Sequence, residues 1–191
     1  GGPAISSYTI TAYDASNNAV GTPCQTASSA TSCVVTGLTN GTTYTFKATA
    51  SNGLFTSSAS AASNAVTPAT APDSPTSVTA SSSASGSATV SFSAPTNNGG
   101  SAVTGYTASA YSASTGGSLS ASCTTTGLTC TISGLSNGTT YYVSVVATNA
   151  AGSSAATSPR ISVIPAALPG APTISGVTAG NAYLSVAFTA G

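Results

Sequence analysis

The sequence predicts an all-β chain of tandem seven-stranded sandwiches strung like beads, and three observations carry that prediction. First, the chain repeats itself. Gly1-Gly2-Pro3-Ala4-Ile5-Ser6-Ser7-Tyr8 returns as Gly99-Gly100-Ser101-Ala102-Val103-Thr104-Gly105-Tyr106, and Gly37-Leu38-Thr39-Asn40-Gly41-Thr42-Thr43-Tyr44 returns as Gly134-Leu135-Ser136-Asn137-Gly138-Thr139-Thr140-Tyr141. Ala71-Pro72-Asp73-Ser74-Pro75-Thr76 returns as Leu168-Pro169-Gly170-Ala171-Pro172-Thr173, and all three offsets are 97 or 98 residues. That period is too long for a solenoid unit and fits one small β-domain. Second, short alternating runs are separated by turn residues roughly every 8–12 positions, the spacing of an antiparallel sandwich. Third, 40% of the residues are apolar and they alternate with Ser and Thr, so the chain is not of the disordered class.

In the central period the strands are expected, in order, over residues 77–80, 88–93, 103–111, 118–122, 129–132, 140–148 and 161–164. The second run puts Val90 and Phe92 on one face, the third adds Tyr106, and the sixth adds Tyr141, Val143 and Val145. Leu135 enters the same layer from the loop before the sixth strand. Ser, Thr, Gly and β-branched residues dominate throughout and no 3.6-residue stripe appears, so no helix is expected.

Charge narrows the function. Of 191 residues only Asp14, Lys47, Asp73 and Arg160 are charged, and there is no His. General acid–base work needs titratable groups held together at a substrate, and the two aspartates stand in different repeats. No catalytic, cofactor-binding or metal-ligating residue is expected, and the chain is expected not to be an enzyme. Zero net charge leaves neither a basic nucleic-acid footprint nor an acidic calcium-holding surface. No run of 18 apolar residues exists to span a membrane.

The segments Pro-Thr-Ser-Val-Thr-Ala (75–80), Ala-Thr-Val-Ser-Phe-Ser-Ala-Pro (88–95), Gly-Gly-Ser-Ala-Val-Thr-Gly-Tyr (99–106) and Gly-Leu-Ser-Asn-Gly-Thr-Thr-Tyr (134–141) together resemble bacterial fibronectin type III domains, an immunoglobulin-like fold. Phe92 and Phe188 stand where that family usually has a core Trp; a ring still fills the layer. There is no Arg-Gly-Asp triplet, so the integrin-binding role of some animal members is not implied. Mapped on the family's lettering, residues 1–68 resemble strands C to G of a partial domain, 71–165 a complete domain, and 168–191 strands A and B of a third. Half-domains at both ends expose core and sheet edges. The chain therefore reads either as a window on a longer repeat protein or as a subunit whose ends complete those of its neighbours. On the second reading, Ile174, Val177, Tyr183, Leu184, Val186 and Phe188 form the candidate assembly hairpin.

Cys24 and Cys33, and Cys123 and Cys130, fall at matching places in the two repeats. Four cysteines allow three pairings; local spacing and repetition favour Cys24–Cys33 and Cys123–Cys130, and such staples belong to an oxidising compartment. A zinc knuckle fits neither spacing. Asn40-Gly41-Thr42 and Asn137-Gly138-Thr139 match the glycosylation pattern but also supply a turn with φ > 0. On the family resemblance Tyr44 and Tyr141 are tyrosine corners bracing that loop. Tyr8 and Tyr106 are expected in the core, with Tyr13 and Tyr111 on the same face; a sugar platform would need such rings exposed and coplanar.

The expected function is a non-catalytic, extracellular structural or adhesive repeat region of a bacterial surface protein or filament, which could assemble head to tail through its half-domains. The expected partners are copies of itself or adjacent repeats, with a carbohydrate or cell-surface polymer as a further candidate. The proline-bearing linkers at residues 67–75 and 165–172 would limit bending. The alternatives are an accessory module of a larger secreted polysaccharide-acting enzyme and a phage fibre component.

Overall fold

Alternation of apolar and hydroxyl side chains, broken by Gly, Asn and Pro, leaves the backbone one cooperative option, the pleated ladder. The computed structural model describes residues 3–191; Gly1 and Gly2, the start of the repeated Gly-Gly motif and of the expected 1–68 half-domain, lie outside the described residues. Among the described residues every regular element is a strand. In chain order these are β1 (Ser7–Tyr13), β2 (Ala19–Ala27), β3 (Thr45–Ser51), β4 (Thr76–Ala84), β5 (Ser87–Ser93), β6 (Val103–Tyr111) and β7 (Leu119–Thr125). They continue with β8 (Thr129–Ser133), β9 (Tyr141–Asn149), β10 (Gly152–Ser153), β11 (Ile161–Val163), β12 (Thr173–Gly180) and β13 (Tyr183–Thr189). The expected run 103–111 coincides with β6. The run 118–122 is extended to Thr125 in β7, and β10 was not expected.

By contact density the chain divides into two compact units. One comprises Gly1–Pro75, Ala94–Gly105 and Val146–Ala155; the other comprises Thr76–Ser93, Tyr106–Val145 and Ala156–Gly191. The second holds most of the core. Its β4-β5-β8 sheet buries Ala88, Val90, Phe92 and Ile132, while β6, β9 and β11 bury Tyr106, Ala108, Ala110, Val143, Val145 and Val163. The Phe92 and Tyr106 rings meet at 4.9 Å between centroids with a 54° tilt, a favoured aromatic geometry. The antiparallel β12–β13 hairpin belongs to the same unit and buries none of its residues.

In the first unit β1 is the middle strand of a β2-β1-β3 sheet. Directly opposed residues share a face, so the register Tyr8↔Ala50, Ile10↔Ala48 and Ala12↔Phe46 lays six apolar side chains on one side. Only Ala12 of these is buried. The repeat offsets match β1, β2 and β3 to β6, β7 and β9, and β12–β13 to β4–β5. Three counterparts are reduced to isolated bridges: residues 32–36, one period before the β8 strand that pairs along β5, form only Thr22↔Thr36, and residues 55–56 and 64–66, one period before β10 and β11, form only Ser51↔Thr56 and Tyr44↔Val66.

Candidate functional site

Two repeated disulfides staple a strand to the segment after it. Cys24 on β2 is bonded to Cys33 and Cys123 on β7 to Cys130 on β8, with Cα–Cα separations of 6.2 and 6.1 Å. Both are ordinary disulfide spans. Among the described residues no cysteine is free and no group of three or more His, Cys, Asp or Glu is placed to hold a metal ion.

The Asn-Gly turn and the tyrosine after it form a second repeated device. The Tyr44 hydroxyl accepts the Thr39 N–H at 3.0 Å, and the Tyr141 hydroxyl accepts the Ser136 N–H at 3.1 Å. Accepting that backbone N–H holds the Tyr44 hydroxyl below the ordinary phenol range. Gly41 and Gly138 take φ of 81° and 76°, the left-handed region glycine enters at little cost. Their N–H groups donate to the carbonyls of Pro68 and Pro165 at 2.9 and 2.8 Å, so each turn grips the linker leaving its own repeat. The side chain of Asn137 is itself engaged, accepting the Gly86 N–H at 2.7 Å and donating to Ser85 Oγ at 2.8 Å.

Within the first unit the 67–75 linker is held further. Thr70 N–H donates to Gly99 O at 2.8 Å and Asp73 N–H to Asn97 O at 3.0 Å. Asn149 Nδ2 donates to Thr70 O and Asn98 O, each at 2.8 Å. A Cβ on Gly100 would collide with the backbone of Asn40 and Gly41, which explains a glycine there in steric terms.

The tyrosines depart from expectation in two respects: Tyr8, expected in the core like Tyr106, is only half-buried, and the later tyrosines change face. Tyr13 and Tyr111 do not share the face of Tyr8 and Tyr106, because an odd spacing along a strand reverses the side. Each ring instead lies under a cation: Lys47 Nζ is 4.6 Å from the Tyr13 centroid, and the Arg160 guanidinium is 3.6 Å from that of Tyr111. Arg160 also donates to Ala113 O and Gly116 O at 2.8 and 2.7 Å, which leaves it little capacity for another ligand. Tyr142 is half-buried on β9.

Sequence reasoning missed a ladder of hydroxyls. Ser57, Ser60 and Ser63 donate their N–H groups to the carbonyls of Ala50, Ala48 and Phe46, and accept at Oγ the N–H of the same three residues at 3.0 Å. Each Oγ then donates to the carbonyl of the next residue along the chain. Ser154 against Ala147 and Thr157 against Val145 repeat the arrangement. Its signal was present: hydroxyl residues every third position, the period of a polyproline-II helix.

On the β12–β13 hairpin, Ile174↔Phe188, Val177↔Val186 and Ala179↔Leu184 are opposed and share one face. Ile174, Val177, Leu184, Val186 and Phe188 are all exposed. Tyr183 is exposed as well but lies on the other face, its ring over Gly180. In the first unit, Tyr8, Ile10, Cys33 and Ala48 line an open cavity of about 250 Å³.

Comparison with known proteins places this geometry. A fibronectin type III domain model matches residues 1–66 and 73–164. Among solved structures, titin domains A168–A170 are similar at 20% identity and a TM-score of 0.54, over 83% of this chain and 55% of that one. Chicken CNTN1 FN1–FN3 domains are similar at 19% identity and a TM-score of 0.47, over 97% of this chain and 65% of that one. A two-domain fibronectin type III segment of chicken tenascin is similar at 20% identity and a TM-score of 0.46, over 86% of this chain and 95% of that one. The chain thus spans 55% of the titin chain and 65% of the CNTN1 chain. No curated protein sequence matches it.

Proposed function

We propose that this chain, which belongs to the fibronectin type III family, is a structural and adhesive repeat region that works outside the cell without catalysing a reaction. The observation that carries the reading is the pair of disulfides at matching places in successive repeats. Such bonds persist in oxidising surroundings and are rare in the cytosol. Each closes a short loop and so limits unravelling under load or protease attack. The charged side chains support the same reading, because three of the four have structural partners: Lys47 and Arg160 rest on tyrosines, and Asp14 caps its own turn by accepting from Ser16 and Asn18. What the chain offers a partner is therefore surface and shape.

Thiol trapping of native material from its source tests the location. Alkylation before reduction should leave all four cysteines unlabelled, and protease added to intact cells should cut the chain. Free thiols in the native material together with protection from external protease would overturn the extracellular reading.

A further inference from the structure

From the hydrogen bonds around Asn149, we infer that residues 68–73 form a locked joint that opens only as one piece, and that the Asn149 side-chain amide locks it. The inference goes beyond the proposed extracellular role and does not depend on it. Every residue of the joint belongs to the first compact unit. By composition this stretch is a surface connector, stiffened by its prolines alone. Its backbone is nevertheless fully engaged. Pro68 O accepts the Gly41 N–H at 2.9 Å, and the N–H groups of Thr70 and Asp73 donate to Gly99 O and Asn97 O at 2.8 and 3.0 Å. Just beyond, the Ser74 hydroxyl donates to Ala155 O at 2.8 Å, and Pro72 and Pro75 are buried.

Asn149 ties these contacts together. Its side chain is polar, yet the residue is only 4% exposed, and both ends of its amide are occupied. Oδ1 accepts the N–H groups of Ala151 and Gly152 at 2.8 and 3.1 Å, while Nδ2 donates to Thr70 O and Asn98 O, each at 2.8 Å. The two ends have separable roles. One period earlier, Asn52 Oδ1 accepts the N–H groups of Leu54 and Phe55 at 3.1 and 2.9 Å, so the oxygen shapes the turn in both repeats. The two amide hydrogens of Asn149 then bind that turn to the linker and to the 97–100 loop at once. Sterics close the remaining side. Gly99 and Gly100 take φ of 72° and 84°. A Cβ on Gly99 would strike the carbonyl oxygens of Thr70 and Ala71, and one on Gly100 would strike Asn40 and Gly41. Backbone lies against backbone there, with no flexible side chain between to absorb a rotation. Freeing one buried partner leaves the others unsatisfied, which couples the bonds to one another.

Amide hydrogen exchange, followed by NMR on the whole chain, tests the joint, because exchange of a protected amide reports the opening that frees it. In the wild type, the Gly41, Thr70 and Asp73 amides should be protected to a similar degree. Asn149→Asp keeps an acceptor for Ala151 and Gly152 but removes both donors. It should speed exchange at all three amides by about tenfold or more, while the Ala151 amide in the turn keeps its protection. The Phe92 and Thr157 amides, which donate to Leu128 O and Val145 O in the other unit, should also stay unchanged. Gly100→Ala reaches the joint from its opposite side and should speed the same three amides; it decides the matter if Asn149→Asp also loosens Phe92 and Thr157. Unprotected exchange at Thr70 and Asp73 in the wild type would overturn the inference, as would a variant in which Thr70 responds and Gly41 and Asp73 do not. Either failure leaves the extracellular reading standing, since thiol trapping and surface proteolysis decide that separately.

Discussion

The hairpins β4–β5 and β12–β13 are one design in two situations. Both are antiparallel, both carry a bulge in the first strand, and both end on a Val-x-Phe run. Yet Val90 and Phe92 are 0% and 6% exposed, while Val186 and Phe188 are 48% and 68% exposed. Local alternation is sufficient to make the hairpin; a facing sheet is needed to bury it. The corresponding sheets teach the same lesson from the other side. β1 pairs with β3 along its full length and β6 is the neighbour of β9, but the first pair buries only Ala12 while the second buries Tyr106, Ala108, Ala110, Val143 and Val145.

The sharpest way to break this comparison is to truncate the matched rings. Phe92→Ala should cost about 3–5 kcal/mol in urea unfolding, and Phe188→Ala, at an exposed ring, should stay within about 0.5 kcal/mol. Equal losses would mean that the two hairpins are buried alike. Next in size are the staples, which should act equally in both repeats. Reducing either disulfide removes about 2.5 kcal/mol by the chain-entropy model, and an unchanged melting midpoint after complete reduction would end the staple argument. A smaller contrast comes from the hydroxyl ladder. Thr157→Val leaves the buried Val145 N–H without its acceptor and should cost about 1–2 kcal/mol, whereas the exposed Ser60→Ala should cost about 0.5 kcal/mol or less. Similar values at the two sites would contradict the difference in burial.

The smallest effect is electrostatic. Asn18 donates to the Asp14 carboxylate from its backbone and its side chain and Ser16 from its backbone, which holds the Asp14 pKa below the ordinary carboxylate value. A group depressed in the folded state contributes stability above its unfolded pKa and loses it as pH falls through the folded one. The first repeat should therefore weaken slightly below about pH 4, and Asp14→Asn should flatten that acid limb in a urea titration. A mutant with the parent's acid slope would show that the turn plays no part.

Much of this was legible in the sequence, for reasons that differ by element. β6 announces itself because alternation fixes Tyr106, Ala108 and Ala110 as the inward side chains, and β9 because it runs from just after the Asn-Gly turn to Asn149 and carries Tyr141, Val143, Val145 and Ala147 on one face. The hydroxyl bonds of Tyr44 and Tyr141 reach back only five residues, so their geometry is local to the repeated Asn-Gly motif. Residues 32–36 could not be settled that way: they differ from Thr129–Ser133 in pattern only at Val34, which stands in place of Thr131, and only the later segment has a partner strand alongside. The side of Tyr13 and Tyr111 was open to direct counting, as each lies five positions beyond a core tyrosine. The hydroxyl ladder escaped because neither the two-residue nor the 3.6-residue template responds to a period of three.

That ladder has a consequence for how such a chain stays out of trouble. Sheet proteins commonly guard an exposed edge with lysine or another charge, and this chain has almost none to spend. Along β3 the outward N–H and C=O groups of Phe46, Ala48 and Ala50 are already occupied by Ser57, Ser60 and Ser63. An incoming strand would find no free donor or acceptor there, at any salt concentration. Serine thus performs by occupancy the gatekeeping that lysine performs by repulsion, and a neutral surface can be kept without inviting amyloid-like growth along that flank.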